Sequence, residues 1–252
     1  MNRQTFVRSF VAVAALAATL AATPVHAASL LLNGGFEGGF ANWTVANLFP
    51  DFGDGSFYLQ SGTTSPQAFV TVPPPPEGSF AAMTDSFGPG AHVLYQDFVV
   101  PTGTTTGILS FQYFVNNGAD DFHIPNTLDW STPVLNQRAR VDILTAAAPI
   151  FSVAPADVLF FSQTEPGDFL VEGYVTFLVD ISGVLSANVG NTLRLRFSEV
   201  DNVGPFNLGI DAVSIVTNQQ PPTPIPEPAS LLLVGTGVCA AVRRRLKACR
   251  AA

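Results

Sequence analysis

Hydrophobic and polar residues alternate in short runs along the middle of the chain, over residues 29–220. In Thr192–Glu199, for example, Leu193, Leu195 and Phe197 alternate with polar neighbours. Because successive side chains of a strand point to opposite faces, this segment predicts a strand with one buried face and one wet face. The runs that are bounded by Gly, Pro, Asn or Asp are candidate strands. They are Phe57–Gln60, Ala68–Val72, Ser79–Met83, His92–Val99, Gly107–Val115, Arg138–Thr145, Phe169–Asp180, Thr192–Glu199 and Leu208–Val216.

Helical periodicity is weak throughout this region, and Ser182–Asn188 is the one segment that favours a helical turn. Many short strands separated by regular turn signals are typical of an all-β fold. We therefore predict an antiparallel jelly-roll β-sandwich over residues 29–218. The longest irregular stretch, residues 116–137, is predicted to be a functional or a mobile loop.

The N-terminus has the pattern of a secretory signal peptide. Arg3 and Arg8 precede an uncharged apolar run at residues 10–20, and Val25-His26-Ala27 places small residues where a signal peptidase cleaves. The alternative is an uncleaved anchor helix, but the apolar run is shorter than the ~20 residues that span a bilayer. We expect residues 1–27 to be removed and the rest to be exported.

The C-terminus has three parts. Residues 219–228 form a proline-rich linker, which cannot be a helix or a central strand. Residues 229–242 are apolar, and as a helix this segment is about 21 Å long, which is short for a membrane span. Arg243, Arg244 and Arg245 follow it and would stay on the cytoplasmic side. Residues 219–252 therefore predict a linker and a short transmembrane helix with a basic stop.

This tail resembles the PEP-CTERM sorting signal of Gram-negative bacteria. The matching residues are Pro226-Glu227-Pro228, the apolar run with Gly235 and Gly237, and the arginine cluster. The resemblance implies that an exosortase recognises the tail, cleaves near Pro226-Glu227-Pro228 and leaves the protein at the cell surface or outside the cell. It also implies an association with exopolysaccharide and biofilm. Residues 248–252, which include Cys249, extend beyond the usual end of such a signal.

Charge and cysteine content change once these two ends are removed. Residues 29–220 keep 18 of the 19 acidic residues and only four arginines, so their net charge is −14 rather than −8. Nucleic-acid binding is excluded, since neutralising phosphates requires a basic surface. The acidity indicates solubility outside the cell, cation binding, or both. Both cysteines lie in the tail, so the core has neither a disulfide nor a thiol nucleophile.

Four core segments together resemble the jelly-roll domains of carbohydrate-binding modules and of their exported relatives with a galactose-binding-like fold. The resemblance covers about residues 30–217 and concerns the fold, which does not by itself determine function. The segments are Leu32-Asn33-Gly34-Gly35-Phe36-Glu37 with Trp43, then His92–Val99, then Ile108–Tyr113, and finally Leu208–Ile215.

The resemblance implies one structural Ca²⁺ bound by Glu37 and Asp211. Ca²⁺ takes about six to eight oxygen ligands from carboxylates and carbonyls, and Gly34 and Gly35 let backbone carbonyls turn toward an ion. Such an ion would close the sandwich without a disulfide. Asp85 and Asp54 are further candidate ligands. The alternative is that Glu37 caps a turn and Asp211 faces solvent.

A glycan-binding site is predicted in the long irregular stretch. Trp130 offers a flat apolar face with a polar N–H, and Asp121 and His123 lie close to it in the sequence. The alternative for Trp130 is that it plugs the edge of the sandwich. Tyr95 and Tyr113 lie on candidate strands and would line either a concave face or the core.

No catalytic motif is present: there is no Gly-x-Ser-x-Gly elbow, no His-Glu-x-x-His and no phosphate-binding loop. Asp120 and Asp121 are adjacent, so in an extended chain they point in opposite directions. We therefore predict a non-catalytic surface or matrix protein associated with exopolysaccharide. A carbohydrate-binding module with a defined glycan is the alternative, and a polysaccharide hydrolase or lyase is the third hypothesis.

Overall fold

The computed structural model describes residues 29–49 and 55–219. Ten strands and one short helix lie in these two segments. In chain order the elements are β1 Thr44–Asn47, β2 Ser56–Gln60, β3 Ala81–Asp85, β4 Gly90–Val99, β5 Gly107–Asn117, β6 Gln137–Thr145, β7 Val158–Gln163, β8 Val171–Asp180, α1 Ser182–Ser186, β9 Thr192–Asp201 and β10 Phe206–Thr217.

The strands form two five-stranded antiparallel sheets that pack face to face. One sheet has the order β1-β4-β9-β6-β7 and is called the β4 sheet below. The other has the order β2-β3-β10-β5-β8 and is called the β10 sheet. The all-β jelly-roll sandwich predicted from the sequence is thereby confirmed.

Aromatic and aliphatic side chains from the two inner faces fill the space between the sheets. Phe111 of β5 meets Phe197 of β9 edge to face, with ring centroids 4.9 Å apart, and stacks on Phe177 of β8 at 4.8 Å. Alternation explains this core, because Leu193, Leu195 and Phe197 all point inward from β9 and are fully buried.

Most of the predicted strands are confirmed with small changes in their ends, but one is wrong. Residues 68–72 do not form a strand; a single bridge joins Thr64 to Thr71, and Phe69 has a φ of +57°, which interrupts extended backbone. Two short edge strands, β1 and β7, are absent from the sequence prediction. The helical turn predicted at Ser182–Asn188 is present as α1.

The long irregular stretch begins with the end of β5 and crosses one end of the β4 sheet. A single antiparallel bridge between His123 and Gln137 fixes it to the start of β6. Among residues 29–49 and 55–219, no helix has the length and apolar character needed to cross a membrane. The predicted signal helix and the predicted C-terminal helix lie outside the described residues.

Candidate functional site

The loop before β1 and the last strand meet at a tight backbone contact. The Val213 N–H donates to the Gly34 carbonyl at 3.0 Å, and any side chain at Gly34 would collide with the Val213 carbonyl oxygen. Phe36 and Ala212 both have positive φ, which turns the chain sharply on each side of the contact. These turns place Glu37 and Asp211 at the same corner of the sandwich.

Glu37 and Asp211 both bind the backbone of the 73–80 loop. Oε1 of Glu37 accepts hydrogen bonds from the N–H groups of Ser79 and Phe80 at 2.7 and 2.9 Å. Oδ2 of Asp211 accepts from the Glu77 N–H at 3.3 Å, and Oδ1 accepts from the Ala212 N–H at 2.7 Å. The two predicted ligands therefore hold one loop between them.

Glu77 supplies a third carboxylate at this corner, which is called the acidic corner below (Glu37, Glu77 and Asp211). A Cβ placed on Gly35 would lie 2.5 Å from Oε1 of Glu77 and 3.9 Å from Oδ1 of Asp211, so only glycine leaves room here. Asp211 is fully buried, whereas Glu37 and Glu77 are exposed. The acidic corner therefore has one buried carboxylate and two that are exposed to solvent.

Three ionised carboxylates at the acidic corner would repel one another. Burial raises the pKa of Asp211 to about 7, and the negative charges of Glu77 and Glu37 contribute to the increase. Backbone N–H groups on Asp211 oppose the rise but do not cancel it. An ion with two positive charges would offset the repulsion among the three carboxylates.

The other carboxylates considered from sequence do not join this corner. Asp85 accepts hydrogen bonds from the Gln67 and Ala68 N–H groups and from the Asn207 side chain. Asn207 lies on β10, four residues before Asp211. It therefore fixes the 61–70 loop, and Asp54 lies outside the described residues. Glu77 was missed because it follows four prolines and has no local pattern that marks it as a ligand.

Trp130 is a packing residue at the β1 edge of the β4 sheet. Its side chain packs with Leu48, Ala91 and Leu128, and its Nε1–H donates to the Leu48 carbonyl at 3.1 Å. The alternative interpretation from sequence, that Trp130 plugs the edge of the sandwich, describes this placement. Its indole N–H is satisfied within the protein and is not offered to a ligand.

Asp121 and His123 lie toward the β7 edge of the β4 sheet, away from β1. Oδ1 of Asp121 accepts from the Gly167 N–H at 2.8 Å, in the loop that follows β7. Trp130 packs beside the end of β1 and Asp121 binds the loop after β7, at opposite edges of the β4 sheet, and no contact among the described residues joins the two. His123 is half-buried, with Nε2 3.7 Å from an Asp120 carboxylate oxygen.

The outer face of the β4 sheet was expected to be exposed to solvent, but its long polar side chains are buried. It carries all four arginines of the described residues, and each is at most 8% exposed. We call this set the arginine face. Its members are Arg138, Arg140, Arg194 and Arg196.

The 146–157 loop covers Arg194 and Arg196 of the arginine face, and aspartates pair with three of its four arginines. Arg196 donates to the Ile150 and Ser152 carbonyls at 2.7 and 2.9 Å. Asp142, between Arg140 and Arg196, accepts hydrogen bonds from both. The predicted solvent exposure of this face is therefore wrong, because loop carbonyls replace water as the hydrogen-bond partners.

A cleft opens between the two sheets at the β7 and β8 edges. It has a volume of about 100 Å³. Stacked phenylalanines form its floor and polar groups its rim. The residues are Phe111, Phe177, Tyr113, Arg140, Gln163 and Asp168. Sugar rings bind to aromatic faces that lie beside planar hydrogen-bonding groups. The cleft combines residues of several strands, so the sequence of any one strand does not reveal it.

Solved structures with a similar course of the chain include carbohydrate-binding modules. TmCBM61 in complex with β-1,4-galactotriose is 12% identical, covers 75% of this chain and 99% of its own, and has a TM-score of 0.46. A family 16 carbohydrate-binding module is 13% identical, with coverage of 75% and 99% and a TM-score of 0.41. The K3 adhesin domain of Lys-gingipain from Porphyromonas gingivalis is 14% identical, with coverage of 74% and 98% and a TM-score of 0.45.

The tail is the segment that matches a known protein family. A search of curated proteins found no match to the chain. Residues 224–245 match the PEP-CTERM protein-sorting motif, and this range includes the predicted Pro226-Glu227-Pro228 and Arg243, Arg244 and Arg245, which lie outside the described residues. The motif implies export, a membrane-anchored C-terminus before processing, and sorting by an exosortase. The chain therefore joins a β-sandwich to a PEP-CTERM protein-sorting motif.

Proposed function

We propose that the protein is a non-catalytic component of the cell surface or the extracellular matrix that associates with exopolysaccharide. The observation that supports this proposal is the sorting motif at residues 224–245, which follows a sandwich whose last strand ends at Thr217. Signal peptidase and exosortase are its processing partners. The inner membrane is a temporary partner through the tail.

The distribution of charge indicates how such an association would work. The four arginines of the core are covered, so the described surface presents acidic side chains almost without opposing positive charge. An anionic polysaccharide would be repelled by this surface unless divalent cations lie between the two. We therefore expect the association to depend on Ca²⁺.

Calcium also has a structural place in this proposal, at the acidic corner. Glu37 and Asp211 supply carboxylate oxygens on either side of the 73–80 loop, and Glu77 supplies a third carboxylate from within it. A Ca²⁺ ion there would link the first loop, the 73–80 loop and β10. With no disulfide in the core, this link would close the corner of the sandwich.

A melting experiment tests the calcium proposal. Purified protein is melted in excess Ca²⁺ and in EDTA, together with Asp211→Asn and the control Asp180→Asn. Asp180 is exposed, and its carboxylate accepts a hydrogen bond only from the neighbouring Ser182. The wild type and the control should melt at a higher temperature in Ca²⁺, whereas Asp211→Asn should not respond. A melting temperature that EDTA does not change would refute the site.

The placement of the acidic groups supports a non-catalytic role. Glycoside hydrolysis requires a carboxylic acid with a raised pKa beside an ionised carboxylate, both in contact with substrate. Asp211 and Glu199 have raised pKa values but are buried, out of contact with any polymer. On the surface, the Gly167 and Phe122 N–H groups lower the pKa of Asp121, which makes this residue a poor proton donor.

The sorting step has its own test, with a matched control in the same linker. Pro226-Glu227-Pro228 is replaced by three alanines, and in the control Pro221-Pro222 is replaced by two alanines. The motif variant should remain uncleaved in the membrane fraction. The wild type and the linker control should both be processed, as measured by the intact mass of the surface protein. Normal processing of the motif variant would contradict the assignment.

The β7–β8 cleft favours a second candidate function, a module that binds one defined glycan. Its aromatic floor could stack on a sugar ring while Gln163 and Tyr113 donate hydrogen bonds. The cleft is small compared with ligand pockets of ~300–1,000 Å³, so it would take one ring at the end of a chain. A glycan array that shows selective binding, lost in Gln163→Ala and kept in Trp130→Ala, would establish this function.

A further inference from the structure

Three buried ionisable side chains meet at one end of the β4 sheet, away from the acidic corner. His92 lies on β4, and Glu199 and Asp201 lie on β9; none of them is more than 2% exposed. His92 and Glu199 are direct cross-strand partners, and Asp201 lies opposite Gly90. One ligand atom from each residue lies within 4.8 Å of the other two.

The cluster faces away from the arginine face. Glu199 and Asp201 alternate along β9 with Ser198 and Val200, and they share the inward side with Phe197. Arg194 and Arg196 point to the opposite side of the same strand, where they bind Asp97 and Asp142. The Glu199 carboxyl therefore has none of the four described arginines on its own side of the sheet.

Glu199 has a buried polar atom without a hydrogen bond. Within residues 29–49 and 55–219, its Oε1 has no hydrogen-bond partner, although the side chain is only 1% exposed. Oε2 of Glu199 is 3.9 Å from Nε2 of His92, which is too long for a hydrogen bond.

The surrounding residues orient the other two members. Nδ1 of His92 lies 3.0 Å from Oδ1 of Asn47, and in the tautomer that donates this hydrogen bond, Nε2 is the nitrogen that can bind an ion. Asp201 accepts hydrogen bonds from the Gly90 N–H at 2.7 Å and from the Ser86 hydroxyl at 3.1 Å. Such outer contacts are typical of residues that bind metal ions.

We propose that His92, Glu199 and Asp201 bind a divalent transition-metal ion such as Zn²⁺ or Mn²⁺. One imidazole nitrogen with two carboxylates is a donor set for these ions, whereas Ca²⁺ takes about six to eight oxygens. Ligands ~2.1 Å from a tetrahedral ion lie about 3.4 Å apart. His92 and Glu199 are 3.9 Å apart, and all three ligand atoms lie within 4.8 Å of one another, so binding requires the side chains to move together by about 1.4 Å at most.

The bound ion would be structural. It would bind the buried Glu199 carboxylate and tie β4 to β9, and through Asn47 it would also hold β1. Because the three side chains are closed off from solvent, the ion would enter while the chain folds. This cluster lies on strands of the β4 sheet, whereas Asp211 of the acidic corner lies on β10. The two proposals can therefore be tested independently.

Metal analysis after refolding tests the inference. The full chain is unfolded in urea with EDTA and refolded with Zn²⁺, with Mn²⁺ or with Ca²⁺ alone. Retained metal is then measured by mass spectrometry and the melting temperature by calorimetry. The wild type should retain about one Zn²⁺ or Mn²⁺ per chain and melt at a higher temperature with it. Asn47→Ala should bind at least tenfold more weakly.

Two variants separate the possible outcomes. Glu199→Gln keeps the shape of the side chain without its charge, so it should fold and retain no metal. Asp211→Asn should lose the response to Ca²⁺ but retain the transition metal. If the wild type refolds without metal and its melting temperature is the same in Zn²⁺ and in EDTA, Glu199 is simply a buried neutral acid and the inference is wrong. Equal metal retention by Glu199→Gln would also overturn it.

Discussion

Replacing Asp142 by asparagine should be one of the most destabilising single changes on the β4 sheet. The Asp142 carboxylate is completely buried and accepts a hydrogen bond from Arg140 at 2.6 Å. It accepts two more from Arg196, at 2.6 and 3.0 Å, and Arg196 is itself fully buried. Asparagine keeps one acceptor oxygen but removes the negative charge that two buried arginines share.

Removing one partner of a buried ion pair costs about 3–5 kcal/mol, because a charge is left without compensation. A domain of this kind has a free energy of unfolding of about 5–15 kcal/mol, so Asp142→Asn should remain folded but be weakened. At a urea dependence of ~2 kcal/mol per molar, the unfolding midpoint should fall by about 1.5–2.5 M. Urea unfolding followed by tryptophan fluorescence measures this shift.

Asp97→Asn is the matched control on the same face. Asp97 binds Arg194 through two hydrogen bonds of 2.7 and 3.0 Å, but its side chain is 39% exposed. Water can replace the lost interactions there, so the expected cost is about 0–1 kcal/mol. If Asp142→Asn costs no more than Asp97→Asn, the arginine face is not stabilised by buried charge pairing and the reasoning fails.

Further variants test other parts of the structure. The pKa of Asp211 is about 7 in the folded chain against an ordinary 3.8, so the unfolded state loses its proton first as pH rises. In EDTA, the free energy of unfolding should therefore fall between about pH 4 and pH 7, by at most ~4 kcal/mol, and Asp211→Asn should remove this loss. Equal pH dependence in both proteins would contradict it. Gly34→Ala should lower the free energy of unfolding by about 2–3 kcal/mol, since its Cβ collides with the Val213 carbonyl, whereas Gly173→Ala, with nothing within 4 Å, should be neutral or stabilising. Trp130→Ala should cost about 2–3 kcal/mol by lost packing in urea unfolding, and a smaller loss would show that Trp130 is not a packing residue.

The strands were predictable wherever a long alternating run packs one face into the core. Thr192–Asp201 is such a strand, and its inward residues Leu193, Leu195 and Phe197 were identified correctly, whereas the inward Glu199 and Asp201 were not. The edge strands β1 and β7 were not predictable, because they have only four and six residues and neither has a fully buried side chain. Short edge strands form mainly because a longer neighbour offers its backbone, and local sequence does not record this.

Burial of the arginine face could not be predicted from alternation. Arg194 and Arg196 have the same spacing as exposed polar residues, and what covers them is the 146–157 loop, which has no periodic pattern. The 146–157 loop binds these arginines through backbone carbonyl oxygens, which every residue has. Backbone groups that satisfy a buried side chain leave no mark on the sequence.

Some of the candidate metal ligands were predicted from the sequence, and others were recognised only in the structure. Glu37 and Asp211 were linked by the resemblance of their segments to a known fold, and in the structure both accept hydrogen bonds from the backbone of the 73–80 loop. Glu77 joins them only because Gly35 leaves space across the corner, in a contact between residues 134 positions apart. His92 and Glu199 meet through strand register, which could be worked out only after the pairing of β4 with β9 was known.

The most direct test of the proposed function is co-sedimentation of the purified, sorted protein with the exopolysaccharide of the cells that produce it, in Ca²⁺ and in EDTA. The sedimented fraction of protein and the molar mass of the polymer are measured together. We predict that the protein sediments with the polymer in Ca²⁺, that EDTA releases it, and that the polymer keeps its length. A protein that stays in solution under both conditions, or a polymer that becomes shorter, would contradict a non-catalytic matrix protein.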